Sequence, residues 1–252
     1  MDYLKGEIMS QNVYDFEEAK GINKKFEIPE ETEIIKYMSF TKFINLLEFE
    51  ALFSNNVENF EDKFEGQMPE GFYKNWPHKS VEVSKQHIKA MNKIRKCYAN
   101  CWNNFGEIES YALWRIYGES KESVAIKTSI RNLKEALENK DVMVYKIEYI
   151  KSYEDKKTDI EPPFYFTQDR FTRVTEVFKH SSYNYEREIR ALFYATENVS
   201  GKSLKVNLSK LIDEIYINPY AEDWFVNLVN RVVKGKDEIK YKNILKSAIK
   251  FN

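Results

Sequence analysis

SVAIKTSIRNLKEAL, residues 123–137, predicts a buried strand that runs directly into a helix. Val124 to Ile126 form a short apolar run, which is typical of a strand covered on both faces. Ser129 then occupies the position of a helix N-cap, because its hydroxyl can accept a hydrogen bond from the first turn. The apolar residues after it share one helical face: Ile130, Leu133 and Leu137. A strand and a helix joined this closely indicate a domain in which both kinds of element are mixed.

The rest of the chain continues this mixture. Strands are predicted at residues 33–40, 51–54, 97–102, 142–150, 186–195, 204–207 and 212–217. Helices are predicted at residues 81–96, 107–117, 170–179 and 221–233. Because no repeat or linker interrupts this succession, we expect one α+β domain over residues 33–252, with packed helices on a mixed, twisted sheet. Residues 1–32 are expected to form a poorly ordered N-terminal segment.

The composition argues against several classes of protein. The chain has 252 residues, of which 39 are basic and 40 acidic, so its net charge of −1 gives no basic excess for a nucleic-acid partner. It lacks an apolar window of roughly 18 residues for a membrane span, and residues 1–25 lack the apolar core of a signal peptide. Glycine-rich dinucleotide and P-loop motifs are also absent. We therefore expect a cytoplasmic protein with no membrane partner.

The first site-like motif is FEDKFEG, residues 60–66. Asp62 and Glu65 are candidate catalytic carboxylates, because a loop acid between buried rings is held rigidly. The alternative is a loop pinned by Phe60 and Phe64, in which Asp62 only caps local amides.

The second motif is ESYALWRIYG, residues 109–118. On a helix, Trp114 and Tyr117 share a face and could stack on a base or a nicotinamide ring. Arg115 and Tyr37, the latter from the first predicted strand, are further ligand-binding candidates. The alternative is that Trp114 belongs to the core.

The third motif is YNYEREIR, residues 183–190. On a strand, Glu186, Glu188 and Arg190 point to one face. Two carboxylates and an arginine are costly to bury unless they are paired. The segment is therefore either a solvated sheet face or the wall of a functional cleft, in which the glutamates are catalytic and Arg190 binds ligand.

No metal site is predicted. Cys97 and Cys101 could bind zinc with His78 or His87, but their spacing fits no standard zinc motif. Whether these thiols bind a metal stays open.

Together and in this order, the motifs resemble those of the bacterial domain of unknown function 2971 family. The family pattern F-N-D-P-F-E corresponds to residues 60–65, with Glu61 and Lys63 in place of Asn and Pro. M-W-x-x-Y corresponds to residues 113–117, and W-x-Y-E-x-E-x-R to residues 183–190, with Tyr183 in place of Trp. The resemblance implies an uncharacterised bacterial protein, of a type associated with phage-defence or toxin-like loci, and it implies no particular reaction.

The residues themselves suggest an enzyme similar to ADP-ribosyltransferases, with NAD as a possible substrate. Cleavage of the nicotinamide bond passes through an oxocarbenium-like state, which Glu188 or Glu186 could stabilise. Trp114 and Tyr117 would stack on a ring, and Arg190 or Arg115 would meet phosphate.

Two alternatives remain open. In a metal-dependent phosphodiesterase or nuclease, the four carboxylates of these motifs would bind Mg²⁺, with Arg190 or Lys63 on the phosphate. In a non-catalytic module, the same residues would bind a nucleotide or a protein partner.

Overall fold

The computed structural model describes residues 16–62, 65–67, 96–139, 141–152, 162–166, 171–247 and 249. Its helices are α1 (Phe16–Lys24), α2 (Phe40–Phe49), α3 (Tyr111–Tyr117), α4 (Ile130–Ala136), α5 (Leu208–Leu211) and α6 (Asp223–Lys234). Its strands are β1 (Glu33–Ser39), β2 (Ala51–Asn56), β3 (Lys96–Asn104), β4 (Ser123–Ser129), β5 (Met143–Lys146), β6 (Glu148–Ile150), β7 (Phe164–Phe166), β8 (Phe171–Arg173), β9 (Phe178–His180), β10 (Glu188–Ala195), β11 (Gly201–Lys205), β12 (Glu214–Ile217) and β13 (Asn243–Lys246). Short 3₁₀ helices cover Val57–Asn59, Thr175–Val177 and Ser181–Glu186.

Within these described residues, nine strands form one mixed sheet. Its main path follows the order β11-β2-β3-β1-β4-β12-β13, and β10 joins it by pairing with β3 and with β5. The neighbours are antiparallel except β12 and β13, which are parallel. Two small sheets, β6 with β9 and β7 with β8, complete the strands. The predicted α+β class is confirmed.

The two faces of β10 have different surroundings. Ile189, Ala191 and Phe193 belong to the main apolar core, which also contains the buried faces of α2, α4 and α6. Glu188 and Arg190 alternate with them and therefore point to the opposite face. On that face a smaller apolar cluster includes Phe26, Val177, Phe178 and Leu192. The charged residues of β10 thus lie at the edge of a second core.

β1 and β3 pair only at one end. Their register covers Ile34 with Asn104 and Ile35 with Asn103, and β2 takes over pairing with β3 further along. Just beyond the last β1–β3 pair, the Lys36 ammonium donates to the main-chain carbonyl of Cys101 at 2.6 Å. A side chain therefore satisfies a carbonyl where the two strands diverge.

Ser129 provides the predicted N-cap of α4, and its hydroxyl accepts from the Asn132 N–H at 3.1 Å. We expect Ser129→Ala to lower the free energy of unfolding by about 1 kcal/mol, because the amide loses its partner. Ser129→Asp, which keeps an acceptor, should remain close to the wild type. Urea denaturation of the three proteins checks this expectation, and equal effects of alanine and aspartate would contradict it.

Some predicted elements differ from the structure. The helix predicted at residues 170–179 is wrong: residues 171–180 form β8, a 3₁₀ turn and β9. The apolar spacing there imitates a helix, but Val174, Val177 and Phe178 are all fully buried in the second core, and β9 pairs with β6. Residues 81–95 of the predicted helix 81–96 lie outside the described residues, and Lys96 is the first residue of β3.

Two further elements begin later than predicted, and the N-terminal segment contains a helix. The helix predicted from residue 107 begins at Tyr111, and the strand predicted from residue 186 begins at Glu188. In the N-terminal segment, α1 is followed by Phe26, which is buried in the second core. No helix in the described part of the chain is long and apolar enough to cross a membrane.

Candidate functional site

The centre of the site is Arg190, a fully buried arginine on β10. Its Nε donates to Glu188 Oε1 at 2.7 Å, and its Nη2 donates to Glu188 Oε2 at 3.0 Å. Nη2 also donates to Glu65 Oε2 at 2.5 Å, and Nη1 donates to the main-chain carbonyl of Glu176 at 2.8 Å. These bonds use four of the five guanidinium hydrogens, so Arg190 is almost saturated by the protein.

A buried lysine, Lys179 of β9, joins the same carboxylates. Its Nζ donates to Glu186 Oε2 at 2.6 Å and to Glu188 Oε2 at 3.1 Å, and it lies 3.5 Å from Glu65 Oε1. The five side chains Glu65, Lys179, Glu186, Glu188 and Arg190 are called the carboxylate cluster below. Each has a side chain at most 8 % exposed, so the cluster is three acids and two bases withdrawn from water.

The backbone before β10 explains why both glutamates reach Lys179. Glu186 is the last residue of a 3₁₀ helix rather than part of the strand, and Asn103 fixes its carbonyl through a 2.8 Å hydrogen bond. Arg187 follows in the left-handed region, with φ 44° and ψ 51°. β10 starts immediately afterwards at Glu188. The left-handed conformation of Arg187, between the 3₁₀ helix and β10, therefore brings the two carboxylates together. The alternation of side chains along a strand does not explain their proximity, because Glu186 lies outside β10.

The FEDKFEG loop supplies the third acid. The Glu65 N–H donates to the Asp62 carbonyl at 3.1 Å, which forms a turn, and Gly66 follows with a φ of +76°. The Phe60 ring lies against the Arg190 guanidinium, with 5.2 Å from the guanidinium carbon to the ring centre. The structure therefore brings Glu65 into the cluster, whereas Asp62 contributes its main-chain carbonyl to the turn that presents Glu65. Phe64 lies outside the described residues.

The cluster separates the pKa values of its acids. Burial would raise the pKa of Glu188, but the Arg190 and Lys179 cations outweigh burial and hold it well below its usual range. Burial dominates for Glu186 and Glu65, and their pKa values are raised despite the neighbouring cations. Glu188 is therefore the acid that most firmly keeps its charge, whereas Glu186 and Glu65 hold a proton more readily than an ordinary glutamate.

Two further side chains donate hydrogen bonds to the cluster. The hydroxyl of half-buried Tyr117 donates to Glu186, and the thiol of Cys101 donates to Glu188. Burial raises the pKa of both donors, so they remain protonated. Lys36 lies nearby, and burial lowers the pKa of its ammonium.

Trp114, Tyr37 and Arg115 lie away from the cluster. Trp114 is 2 % exposed and donates from Nε1 to Glu109 Oε2 at 2.8 Å, which places its ring in the core. Tyr37 packs edge-on against it at 4.9 Å and accepts the Ser110 N–H, at the start of α3. Arg115 is exposed on α3. Of the predicted aromatic pair, only Tyr117 therefore contacts the cluster.

An open cleft of about 380 Å³ adjoins the cluster at Glu188. Its lining mixes charged, polar and apolar residues: Glu27, Ile28, Pro29, Thr32, Asn104, Lys146, Ile147, Tyr149, Arg187, Glu188 and Ile189. The Tyr149 hydroxyl accepts the Glu188 N–H at 2.8 Å, which fixes this half-buried ring beside the glutamate. The volume is sufficient for a small ligand.

Sequence reasoning did not select Lys179, Tyr149 or Arg187. The available signal for Lys179 was its place directly after the apolar Val177-Phe178 pair, which indicates a lysine drawn into a core. For Arg187 it was the position between two candidate catalytic glutamates.

Among the residues that the structure describes, no group of three or more His, Cys, Asp or Glu side chains has the arrangement of a metal site. Instead, Lys179 and Arg190 hold the carboxylates of the cluster. Cys97 is buried and Cys101 is half-buried, and neither is part of a disulfide. His78 and His87 lie outside the described residues.

Comparison with known proteins gives one result that bears on the site. A family model described as a protein of unknown function (DUF2971) matches residues 113–191. No curated protein and no solved structure is significantly similar to the chain. The matched segment begins in α3 and ends in β10, so it contains Tyr117, Lys179, Glu186, Glu188 and Arg190. Over this segment, which carries four of the five cluster residues, the chain resembles the DUF2971 family.

Proposed function

We propose that this chain cleaves the bond between nicotinamide and ribose in NAD and transfers the ADP-ribosyl group to an acceptor, as ADP-ribosyltransferases do. The observation that carries the proposal is the pair Glu186 and Glu188. Both carboxylates bind the Lys179 ammonium, yet their pKa values are displaced in opposite directions. Two acids with separated pKa values can perform two different tasks in one reaction.

Glu188 is suited to stabilise positive charge. As nicotinamide leaves with the bonding electron pair, positive charge develops on the ribose ring. A carboxylate that stays ionised, and that is held rigidly by Arg190, stabilises this charge without reorganising. Glu188 is also one of the residues that line the open cleft, so its carboxylate lies close to the space that a ribose would occupy.

Glu186 is suited to act as a general base. The acceptor hydroxyl must lose a proton as its oxygen bonds to the ribose carbon, and Glu186 would take that proton. A base works best when its pKa lies near the working pH, and the raised pKa of Glu186 moves it in that direction. Tyr117 donates to the same carboxylate and orients it.

Tyr149 takes the stacking role that the sequence suggested for Trp114. Its ring lines the cleft next to Glu188, and its hydroxyl is fixed by the Glu188 N–H. A ring fixed in this way offers a flat apolar surface to a nucleobase or a nicotinamide.

The test is the release of nicotinamide from NAD by the purified protein, measured by chromatography, which detects transfer to water and to protein acceptors alike. We expect Glu186→Gln to slow release by about 100-fold or more, the usual effect of losing a general base. Glu135→Gln is the matched control, because Glu135 is an exposed glutamate paired with Lys210 far from the cluster. It should release nicotinamide at the wild-type rate.

The proposal fails if the wild type releases no more nicotinamide than buffer, or if Glu186→Gln is as active as wild type. NAD binding without release would instead support a non-catalytic nucleotide-binding module. Hydrolysis of a phosphodiester that requires added Mg²⁺ or Mn²⁺ would support the metal-dependent alternative. A role in phage defence or toxicity remains a prediction from the family resemblance.

A further inference from the structure

Arg187 is an exposed arginine between the two central glutamates. Among the described residues its guanidinium has no hydrogen bond or ion pair, although the neighbouring Lys179 and Arg190 have several each. Its backbone N–H and C=O are satisfied by Asn184 and Asn104. Both main-chain polar groups at this position are therefore hydrogen-bonded, whereas the exposed side chain has no hydrogen bond or ion pair within the described part of the chain.

The backbone conformation at Arg187 is unfavourable for an arginine. Its φ of 44° ends a 3₁₀ helix in the left-handed region, where glycine or asparagine is the usual residue. Glu50 and Glu119 also have a positive φ, but each has a charge partner, Lys236 and Lys42 respectively. An arginine at such a position, without an ion pair among the described residues, suggests a role that glycine could not perform.

A glycine beside Arg187 leaves room for its guanidinium. Gly106 has a φ of +63°, and a Cβ atom at this position would lie 2.9 Å from Nη1 of Arg187. A methyl group there would push the guanidinium aside. Arg187 also lines the cleft that Glu188 and Tyr149 share.

We propose that Arg187 binds the phosphate groups of a ligand in this cleft. A guanidinium matches phosphate oxygens with paired hydrogen bonds, which makes arginine the usual residue for this task. Arg190, which the sequence suggested for the role, has four of its five hydrogens committed to the protein. That the phosphates belong to the diphosphate of NAD rests on the proposed function, but anion binding by Arg187 does not.

The experiment is a calorimetric titration with inorganic pyrophosphate, for wild type and for the variants Arg187→Gln, Arg187→Lys and Arg115→Gln. Arg115 is the matched control, because it is also exposed and also without an ion pair among the described residues. We expect Arg187→Gln to weaken pyrophosphate binding at least tenfold, Arg187→Lys to weaken it less, and Arg115→Gln to leave it unchanged.

A fourth variant separates binding from folding. Arg187→Gly relieves the positive φ, so its melting temperature should be equal to or above that of the wild type while its pyrophosphate binding is lost. The inference is overturned if wild type does not bind pyrophosphate, if Arg187→Gln binds as tightly as wild type, or if Arg115→Gln weakens binding equally. Because the titration involves no NAD, its result is independent of nicotinamide release, and either proposal can fail alone.

Discussion

Replacing Arg190 by methionine is expected to lower the free energy of unfolding by about 3–5 kcal/mol at pH 7, the usual effect of removing one partner from a buried ion pair. Methionine fills much of the same volume, so the loss is mainly electrostatic. Without the guanidinium, Glu188 and Glu65 are left buried with Lys179 as their ion-pair partner among the described residues. The main-chain carbonyl of Glu176 also loses its donor.

Urea denaturation followed by tryptophan fluorescence measures this effect. Arg115→Met is the control, because it makes the same chemical change at an exposed position. It should alter the free energy of unfolding by no more than about 0.5 kcal/mol. A loss below about 1 kcal/mol for Arg190→Met would mean that water or a rearrangement compensates the acids, and the cluster would then be more open than described.

Glu188→Gln and Glu186→Gln should change stability with opposite dependence on pH. The pKa of Glu188 falls from an ordinary 4.5 to about 2 on folding. The stability that this carboxylate contributes is therefore fully present above about pH 4.5 and is lost as the pH falls towards 2. Glu188→Gln should cost about 3 kcal/mol at pH 7, as expected for a broken buried pair, and progressively less below pH 4.5.

The stability that Glu186 contributes depends on pH in the opposite direction, because folding raises the pKa of this carboxyl above the ordinary 4.5. The folded state holds this proton more tightly than the unfolded state, so the wild type loses stability as the pH rises above about 4.5. Glu186→Gln cannot ionise and escapes this loss. Relative to wild type, it should therefore gain stability between pH 4.5 and pH 7.

Urea denaturation at several pH values from acid to neutral tests both variants together. Glu135→Gln serves again as the exposed control. If the differences for Glu186→Gln and Glu188→Gln moved in the same direction with pH, the separation of their pKa values would be wrong. The assignment of two different catalytic tasks to these glutamates would then lose its basis.

The fold was predictable wherever the determining signals are local. The stretch at residues 123–137 contains an apolar run, a cap and a helical stripe, and it forms β4 and α4. The segment at residues 171–180 was mispredicted because its apolar spacing fits a helix equally well. The strand conformation of this segment depends on contacts that are remote in the sequence, namely the pairing of β9 with β6 and burial in the second core.

The site was predictable in part. The charged face of the YNYEREIR motif indicated either a solvated surface or a functional wall, and the structure buries it with partners. The partners could not be predicted from spacing, because Arg190 and Glu65 are 125 positions apart in the sequence. Trp114 illustrates why both alternatives stayed open in the sequence, since a helical aromatic stripe has the same spacing whether it faces a core or a ligand.

The position of β3 within the sheet has a consequence for synthesis of the chain. β3 pairs along one edge with β1 and β2, which precede it, and along the other with β10, which follows some ninety residues later. Contacts between such distant segments form late, and a growing polypeptide folds only with what has already left the ribosome. A partly synthesised chain can pair β1, β2 and β3, but it has no cluster until Glu188 and Arg190 emerge. Whatever chemistry this cluster performs is therefore withheld from the nascent protein and begins only when most of the chain has been made.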